Sequence, residues 1–334
     1  MPDSSKGPTA DVEPRVSVVI PTCNRCHALS RCLDALARQT YSDFELIVVD
    51  DGSTDNTPAM FERFLHQHPS VRGKYVRNGQ RLGANVSRNR GIREARGELV
   101  AFLDSDCVPR PDWLERLLAA FTSDSVAAVT GLVEDLPPEN VFELAFKGTH
   151  RLARPGPAHR LVGGNMCLRR ELLLDQPLDE DLAGGCDEEG VFLRLRAAGW
   201  TMLAVPDAVV LHEHHYGGRA FVRQAFRGGR STARLVYKYH LPPRLDLLPF
   251  MLTYLTLPLV LLDRWWLLFP AFFFAGALAA ITYNDLFRKG KTVGETIRSF
   301  PVLLVYYHVR LAGYVLESVM LRLGRSPLRR HRLR

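Results

Sequence analysis

The sequence predicts an α/β protein with a mixed, mainly parallel sheet that is flanked by helices and followed by C-terminal membrane helices. Residues 15–21, 45–49 and 99–103 are short apolar runs bounded by polar residues, which is typical of buried strands. Residues 27–39, between the first two runs, repeat Leu and Cys on one helical face. The last third of the chain is rich in long apolar segments, which favours membrane association.

Each predicted strand is followed by a polar loop. The first run is ended by Pro21 and leads into residues 22–25, the second leads into residues 50–55, and the third into residues 104–106. Because ligands bind at the carboxyl ends of strands in an open α/β sheet, these loops are predicted to line one crevice. Acids there can accept hydrogen bonds from a base and a ribose, and a helix start favours phosphate. Asp50-Asp51 taken alone fits a helix-capping turn equally well.

The motif Asp104-Ser105-Asp106 is the strongest chemical indication in the chain. Two carboxylates one residue apart repel each other unless a cation lies near them, and a divalent metal that carries a diphosphate satisfies this need. An isolated motif of this kind would more simply be a solvated turn. Here the motif follows a predicted strand, as the other two polar loops do, and this shared position favours a metal site.

The ordered set of motifs resembles the family 2 inverting glycosyltransferases with the GT-A fold. The resemblance covers about residues 15–235, and the set is specific although each motif alone is weak. The motifs are Val18-Val19-Ile20-Pro21-Thr22-x-Asn24-Arg25, Asp50-Asp51-Gly52-Ser53-Thr54-Asp55, Gly83-Ala84-Asn85 with Arg88-Asn89-x-Gly91, and Asp104-Ser105-Asp106.

The resemblance implies a nucleotide-sugar donor and a divalent metal, Mn or Mg. Thr22, Asn24 and Asp51 would lie around the base and ribose, Asp104 would face the ribose or the metal, and Asp106 would bind the metal directly. The predicted donor-binding residues are Thr22, Asn24, Arg25, Asp50, Asp51, Arg88 and Asp104.

A glycine turn at residues 161–170 runs into a further predicted strand. In the family such a segment lines the acceptor and sugar pocket, so Gly163, Gly164 and Asn165 are predicted to form it, since glycines let a backbone approach a ligand closely. The alternative is a bulge that precedes an ordinary strand.

Residues 186–189 combine acids with the start of an amphipathic helix that ends at Gly199. A carboxylate here can remove the proton of an attacking hydroxyl. The family usually has Glu-Asp with Asp as the base, whereas this chain has Asp187-Glu188. Counting back from Arg194 predicts Glu188 as the base, with Asp187 as the second candidate. Acids at a helix start are also stabilised by the helix dipole, which is the purely structural alternative.

A predicted strand ends in His212-Glu213-His214-His215. Relatives in the fold can supply a histidine here as an extra metal ligand, so His212 is predicted to bind the metal with Asp106 and Asp104, and His214 is the runner-up. A surface cluster without metal is the alternative. Further on, Gly228 replaces the tryptophan of the Gln-x-x-Arg-Trp motif of processive synthases, which favours transfer of one or a few sugars.

Composition bears on partners and compartment. Residues 1–14 are polar without an apolar core, which predicts a flexible tail rather than a signal peptide. The net charge of +7 is concentrated beside apolar segments, which favours an anionic membrane surface over nucleic acid. The six cysteines are expected to be free thiols, because a zinc reading of Cys23-x-x-Cys26-His27 lacks a second ligand pair.

The C-terminal region, residues 236–334, is predicted to associate with the cytoplasmic (inner) membrane, with the catalytic domain (residues 15–235) facing the cytosol. Its apolar segments are 247–262, 265–283 and 301–323. Basic flanks favour a hairpin of the first two that turns at Asp263-Arg264, with the third lying in the interface. The tether indicates an acceptor that is lipid-linked or lies near the membrane.

Two other functions fit parts of the pattern. A nucleotidyltransferase would carry a Gly-rich loop with a lysine after the first strand, and residues 22–25 do not provide one. A non-catalytic membrane scaffold that retains the fold is opposed by the intact acids. An NAD-dependent oxidoreductase is disfavoured by the lack of the G-x-G-x-x-G motif.

Overall fold

A nine-stranded sheet forms the centre of the part of the chain that the structure describes. The structure is a computed structural model that describes residues 13–149, 155–182, 184, 186, 188–213, 217–242, 244 and 246–326. The strands are β1 (Val16–Thr22), β2 (Phe44–Asp50), β3 (Arg72–Arg77), β4 (Leu99–Leu103), β5 (Cys107–Pro109), β6 (Val126–Asp135), β7 (Gly156–Pro157), β8 (Asn165–Arg169) and β9 (Thr201–His212).

The sheet is mixed and mainly parallel, as predicted. Its order is β3-β2-β1-β4-β8-β6-β9-β5, with β7 paired to β9. The pairs β1–β2, β1–β4, β2–β3 and β6–β9 are parallel, whereas β8 runs antiparallel to both of its neighbours. The carboxyl ends of β1, β2 and β4 therefore lie at one edge of the sheet.

Helices cover both faces of the sheet. They are α1 (Cys26–Leu36), α2 (Thr57–Gln67), α3 (Ala84–Glu94), α4 (Trp113–Ala119), α5 (Val141–Phe146), α6 (Arg170–Asp175) and α7 (Glu189–Ala197). Successive side chains of a strand point to opposite faces, so Val18 and Ile20 join a core with α1, α2 and α4, while Val19 joins a second core with α3 and α7. Burial on both faces explains why these strands are continuous apolar runs.

The C-terminal region is helical. Its main helices are α8 (Gly218–Lys238), α9 (Leu248–Thr256), α10 (Leu268–Tyr283) and α11 (Val293–Arg322). α11 begins before the predicted start at residue 301. The Thr292 hydroxyl accepts a hydrogen bond from the Glu295 backbone N–H at 3.2 Å, and the Glu295 carboxylate accepts one from the Thr292 N–H at 2.9 Å. This capping box sets the start of the helix.

α8 and α11 pack with their backbones in close contact. A methyl group at Gly229 would collide with the carbonyl of Arg310, and one at Gly313 would collide with the carbonyl of Phe226. Glu317, which is fully buried, accepts hydrogen bonds from Arg230 at 2.6 Å and from Arg234 at 2.7 Å. The basic face of α8 thus holds α11 against α8.

Two helical segments are long and apolar enough to cross a membrane by length and composition. They are Arg264–Arg288, with a mean hydropathy of 1.8, and Val293–Arg322, with a mean hydropathy of 1.2. The first predicted apolar segment forms the shorter helical stretch Leu248–Leu261, which precedes the turn at Asp263. Residues 1–12 of the predicted tail, and the basic residues after 326, lie outside the described residues.

Candidate active site

The loops after β1 and β2 are tied together by Asn24. This residue has a positive φ of 53°, a conformation that asparagine tolerates better than most side chains. Its side-chain oxygen accepts a hydrogen bond from the Thr54 N–H at 2.7 Å, and its own N–H donates to the Ser53 hydroxyl at 2.9 Å. Asn24 therefore shapes the crevice at the edge of the sheet, and Thr22 lies buried at its base.

The neighbouring residues Asp50 and Asp51 have different surroundings. Asp50 is fully buried and accepts hydrogen bonds from the Ser53 N–H at 2.9 Å and the Tyr75 hydroxyl at 2.7 Å. No part of Asp50 is exposed to the crevice, and its contacts indicate a structural role in the turn, so donor contact by this residue stays a prediction. The sequence pattern could not separate the two acids, because both follow the same strand.

Asp51 follows β2 in the sequence, and its carboxylate lies next to the residues that lead into α3. Its carboxylate accepts hydrogen bonds from the backbone N–H groups of Leu82 and Gly83, each at 2.8 Å, and from the Asn78 amide at 2.9 Å. Burial raises the pKa of this carboxyl, but these hydrogen bonds outweigh it and lower the pKa below its ordinary value. Asp51 therefore stays ionised and fixes the loop that leads into α3.

Asp104 and Glu188 approach each other across the glycine turn. Arg88, a buried residue of α3, donates to the Asp104 carboxylate at 2.7 Å. A methyl group at Gly164 would lie 2.7 Å from Oδ2 of Asp104, and one at Gly163 would lie 3.3 Å from Oε2 of Glu188. A side chain at Gly164 would force Asp104 to move, and one at Gly163 would crowd Glu188. The glycines thus allow two predicted site carboxylates and Arg88 to meet.

Asn165, which was predicted to line the acceptor pocket, lies in the core of the protein. It is fully buried, and its side-chain oxygen accepts a hydrogen bond from the Trp113 indole at 2.8 Å. Its amide nitrogen donates to the carbonyl oxygens of Leu132 and Ala208, each at 2.9 Å. These contacts connect β6, β8 and β9 below the glycine turn, so Asn165 supports the site from within the core and has no surface to offer an acceptor.

Asp106 and His212 are brought together by strand pairing. β5 runs antiparallel to β9 with Cys107 opposite His212, which places the imidazole Nε2 3.6 Å from Oδ2 of Asp106. Arg25 NH1 lies 2.5 Å from the same oxygen. Burial raises the pKa of Asp106, but His212 and Arg25 lower it to about 2. Burial lowers the pKa of His212, but Asp106, with the charges of Asp104 and Asp135, outweighs burial and raises this pKa above its ordinary value.

This group has the chemistry of a metal site. Oδ1 of Asp106 is buried and has no hydrogen-bond partner among the described residues. One ligand atom each from Asp106, Cys107 and His212 lie within 4.8 Å of one another. Carboxylate and imidazole suit divalent cations such as Mn²⁺. Asp104 is not in this group, because its carboxylate lies with Arg88 instead.

Cys107 is a residue that sequence reasoning missed. Its position directly after Asp106 was the available signal, and a lone cysteine gave no reason to use it. The thiol is fully buried, and burial raises its pKa well above the ordinary value, so it is protonated. A neutral thiol is a poor ligand for a hard cation, and Cys107 therefore serves mainly as packing behind Asp106.

The second candidate for the base and the second candidate for the histidine metal ligand lie outside the part of the chain that the structure describes. Asp187 and His214 fall among the residues that the structure does not describe, so both remain predictions. Glu188 immediately precedes α7, as the helix pattern predicted. The motif residues Asn85 and Asn89 of α3 donate to the carbonyl oxygens of Asp179 and Leu178, each at 2.8 Å, and so hold the segment that leads to Glu188.

Comparisons with known proteins give one consistent family. Residues 17–174 match the model of "Glycosyl transferase family 2". Glycosyltransferase AglE of Haloferax volcanii is 28% identical over 318 residues, which cover 91% of this chain and 97% of that protein. The pre-mycofactocin glycosyltransferase of Mycobacterium tuberculosis is 31% identical over 236 residues, which cover 67% of this chain and 48% of that protein.

Two solved structures show the same fold. The mannosyltransferase PcManGT from Pyrobaculum calidifontis, in complex with GDP-Man and Mn²⁺, has a TM-score of 0.59 and 23% identity, covering 95% of this chain and 89% of its own. GalNAc-T7 with UDP, GalNAc and Mn²⁺ has a TM-score of 0.53 and 18% identity, covering 70% of this chain and 52% of its own. The sheet, its flanking helices and the sequence match lead to one conclusion: residues 17–174 of this chain form a family 2 glycosyltransferase domain on a GT-A fold.

Proposed function

We propose that this glycosyltransferase moves a sugar from a nucleotide-sugar donor to a hydroxyl acceptor by metal-assisted single displacement with inversion. The observation that carries the proposal is the meeting of Asp104, Arg88 and Glu188 at Gly163-Gly164. Donor-side and acceptor-side candidates thus share one crevice. The complexes of PcManGT with GDP-Man and Mn²⁺ and of GalNAc-T7 with UDP and Mn²⁺ give further support.

Donor binding is assigned to the loops at the edge of the sheet. We assign Thr22, Asn24 and Asp51 to the base and ribose of the donor, and Asp104, which accepts a hydrogen bond from Arg88, to the ribose. Asp106 and His212 would hold a divalent metal, Mn or Mg. When bound, this ion neutralises the charge that builds on the departing diphosphate. Arg25, which is half exposed beside Asp106, adds positive charge for the same diphosphate.

Glu188 is assigned as the general base. It takes the proton of the acceptor hydroxyl while that oxygen forms a bond to the anomeric carbon. The bond from the anomeric carbon to the donor phosphate breaks at the same time, and the nucleoside diphosphate leaves from the opposite face. The configuration at the anomeric carbon is inverted as a result. Such a base contributes about 10²–10⁴-fold to the rate.

Membrane attachment is assigned to the C-terminal helices, which follow the catalytic domain of residues 15–235. α10 is apolar and carries strongly exposed aromatic residues, among them Phe272 at 74% exposure. α11 is held along the basic helix α8 through Glu317, which favours a position in the membrane interface over an isolated crossing. Basic residues beside these helices favour a cytosolic catalytic domain at the inner membrane.

A donor screen with matched variants tests the proposal. Purified protein with Mn²⁺ or Mg²⁺ is combined with a panel of nucleotide sugars, and thermal stabilisation and sugar transfer are measured. We expect Glu188→Gln to keep the stabilisation by the donor but to lower transfer by about 10²–10⁴-fold. Glu171→Gln, the same change at an exposed residue of α6, is the control and should transfer normally. Normal transfer by Glu188→Gln would exclude Glu188 as the base.

A further inference from the structure

A large cavity, here named the junction cavity, lies between the catalytic domain and the C-terminal helices. Its volume is about 1080 Å³, and its walls include Arg160 and Glu189 from the catalytic domain and Phe250, Tyr306 and Arg310 from the C-terminal helices. Ligand pockets typically measure about 300–1,000 Å³. The junction cavity therefore has room for a molecule considerably larger than a monosaccharide.

The junction cavity is strongly cationic. Among the described residues that line it are six cations and two carboxylates, Glu189 and Asp246. The cations are Arg160, Arg196, Arg244, Arg288, Lys289 and Arg310. Asp246 lies 2.6 Å from Arg310 and 3.4 Å from Arg244, so this carboxylate is already shared by two arginines. The excess of positive charge favours an anionic ligand.

Three of these arginines have no carboxylate at ion-pair distance among the described residues: Arg160, Arg196 and Arg288. Arg160 is half-buried and donates to the carbonyl oxygen of Thr149 at 2.7 Å. Burial lowers the pKa of Arg160 below its ordinary value, although the charges of Glu188 and Glu189 act in the opposite direction. A desolvated guanidinium of this kind is suited to a multiply charged oxyanion such as phosphate.

The junction cavity is also lined by apolar and aromatic residues. The rings of Phe146 and Phe221 lie 5.3 Å apart, and Tyr306 contacts both of them at 5.4 and 5.5 Å. Ala277 and Ile281 of α10 complete this wall. α10 and α11 are the helices that are long and apolar enough to cross a membrane. A hydrocarbon chain can thus reach the cavity along them.

The cationic side of the junction cavity is adjacent to the proposed base. Glu189 lies in the cavity wall and directly follows Glu188. Arg160 is also in the wall, and three residues later Gly163 contacts Glu188. A ligand head in the junction cavity is therefore next to the crevice where the sugar would be transferred.

We propose that the junction cavity binds the acceptor as a lipid-linked saccharide, with the linking phosphate against Arg160, Arg196 and Arg288 and the hydrocarbon chain along α10 and α11. This inference rests on the proposed function and names the class of acceptor for it. The phosphate neutralises the arginines that have no carboxylate partner among the described residues. The apolar residues of the wall hold the first part of the hydrocarbon chain, and the saccharide extends toward Glu188.

Binding of simple analogues tests this inference without any nucleotide sugar. The full chain, purified in a non-ionic detergent, is titrated with farnesyl diphosphate, farnesol, phosphatidylglycerol and inorganic phosphate, and binding is measured by native mass spectrometry. We expect farnesyl diphosphate to bind more tightly than each of the other three. Equal binding of any of the other three compounds would overturn the inference. Equal binding of farnesol would mean that the diphosphate is not recognised, and equal binding of inorganic phosphate would mean that the hydrocarbon chain is not recognised. Equal binding of phosphatidylglycerol would mean that any anionic lipid binds.

Charge variants locate the site. Arg160→Gln and Arg196→Gln should each weaken farnesyl diphosphate binding by about tenfold or more. Arg160→Lys keeps the positive charge and should recover part of the affinity. Arg63→Gln, the same change on the exposed face of α2, is the control and should bind like the wild type. Unchanged binding by both glutamine variants with an unchanged melting temperature would contradict the assignment.

The binding and transfer results separate the two proposals. Lipid binding without any sugar transfer would leave the junction cavity intact as a site and refute the proposed function. Transfer to a soluble acceptor without lipid binding would support the glycosyltransferase mechanism and refute the junction cavity as its acceptor site.

Discussion

Asp106 in the candidate active site and Glu317 in the C-terminal helices are both buried carboxylates that contact cations, but they differ in how their oxygens are used. Glu317 accepts hydrogen bonds at both oxygens, from Arg230 on one and from Arg234 and Ser326 on the other. Asp106 has one oxygen near Arg25 and His212 and one with no hydrogen-bond partner among the described residues. A fully bonded acid holds the structure together, whereas an acid with an unused oxygen can still bind a ligand.

The largest effect on stability should come from Glu317→Gln. Removing this charge leaves Arg230 and Arg234 without their shared partner at the α8–α11 contact, and loss of one member of a buried ion pair costs about 3–5 kcal/mol. Denaturant unfolding of the purified protein measures this change, with Glu171→Gln as the exposed control. A loss below about 0.5 kcal/mol, as at an ordinary surface site, would mean that Glu317 contributes little to the packing of α11.

Asp106→Asn should act on metal affinity rather than on stability. The variant keeps the shape of the side chain but removes the charge that a divalent cation needs, and we expect the affinity for Mn²⁺ to fall by about 100-fold or more, beyond what loss of an outer-shell partner costs. Titration calorimetry with Mn²⁺ measures it, and Asp112→Asn on the exposed start of α4 is the control. Wild-type affinity in Asp106→Asn would remove Asp106 from the metal site.

Asp50→Asn should have the smallest effect of the three substitutions. Like Glu317→Gln, it should lower the stability of the protein. The amide can replace only part of the hydrogen bonding to Ser53 and Tyr75, so the free energy of unfolding should fall by about 1–3 kcal/mol. The affinity for the nucleotide-sugar donor, measured by the same thermal screen, should stay unchanged once the lower melting temperature is taken into account. Weaker donor binding at unchanged stability would return Asp50 to the donor site.

The sheet and most of the crevice could be predicted because their signals are local. Apolar strand runs and the acids after them, such as Asp104 and Asp106, are adjacent in sequence, and the order of strands in an open sheet places their ends together. The burial of Asp50 and Asn165 could not be predicted, because the direction of a polar side chain at a strand end depends on its neighbours in space. Asn165 is buried by contacts with Trp113, Leu132 and Ala208, which are distant in sequence.

The C-terminal helices show a different limit of sequence reasoning. The third apolar segment was predicted to begin at residue 301. In the structure Pro301 lies inside α11, whose start is set by the capping box of Thr292 and Glu295. The Thr-x-x-Glu spacing was visible in the sequence and could have found this start. The junction cavity had no such signal, since its walls come from residues between 145 and 310.

The close backbone contact at Gly229 and Gly313 holds α8 and α11 in one orientation. Helices that meet without intervening side chains have little space to slide or tilt independently. If α11 lies in the membrane interface, as we propose, then α8 and the residues that pack against it are held at one height above the lipid surface. An enzyme mounted in this way would select acceptors by length, because a saccharide that is too short or too long would present its hydroxyl at the wrong level.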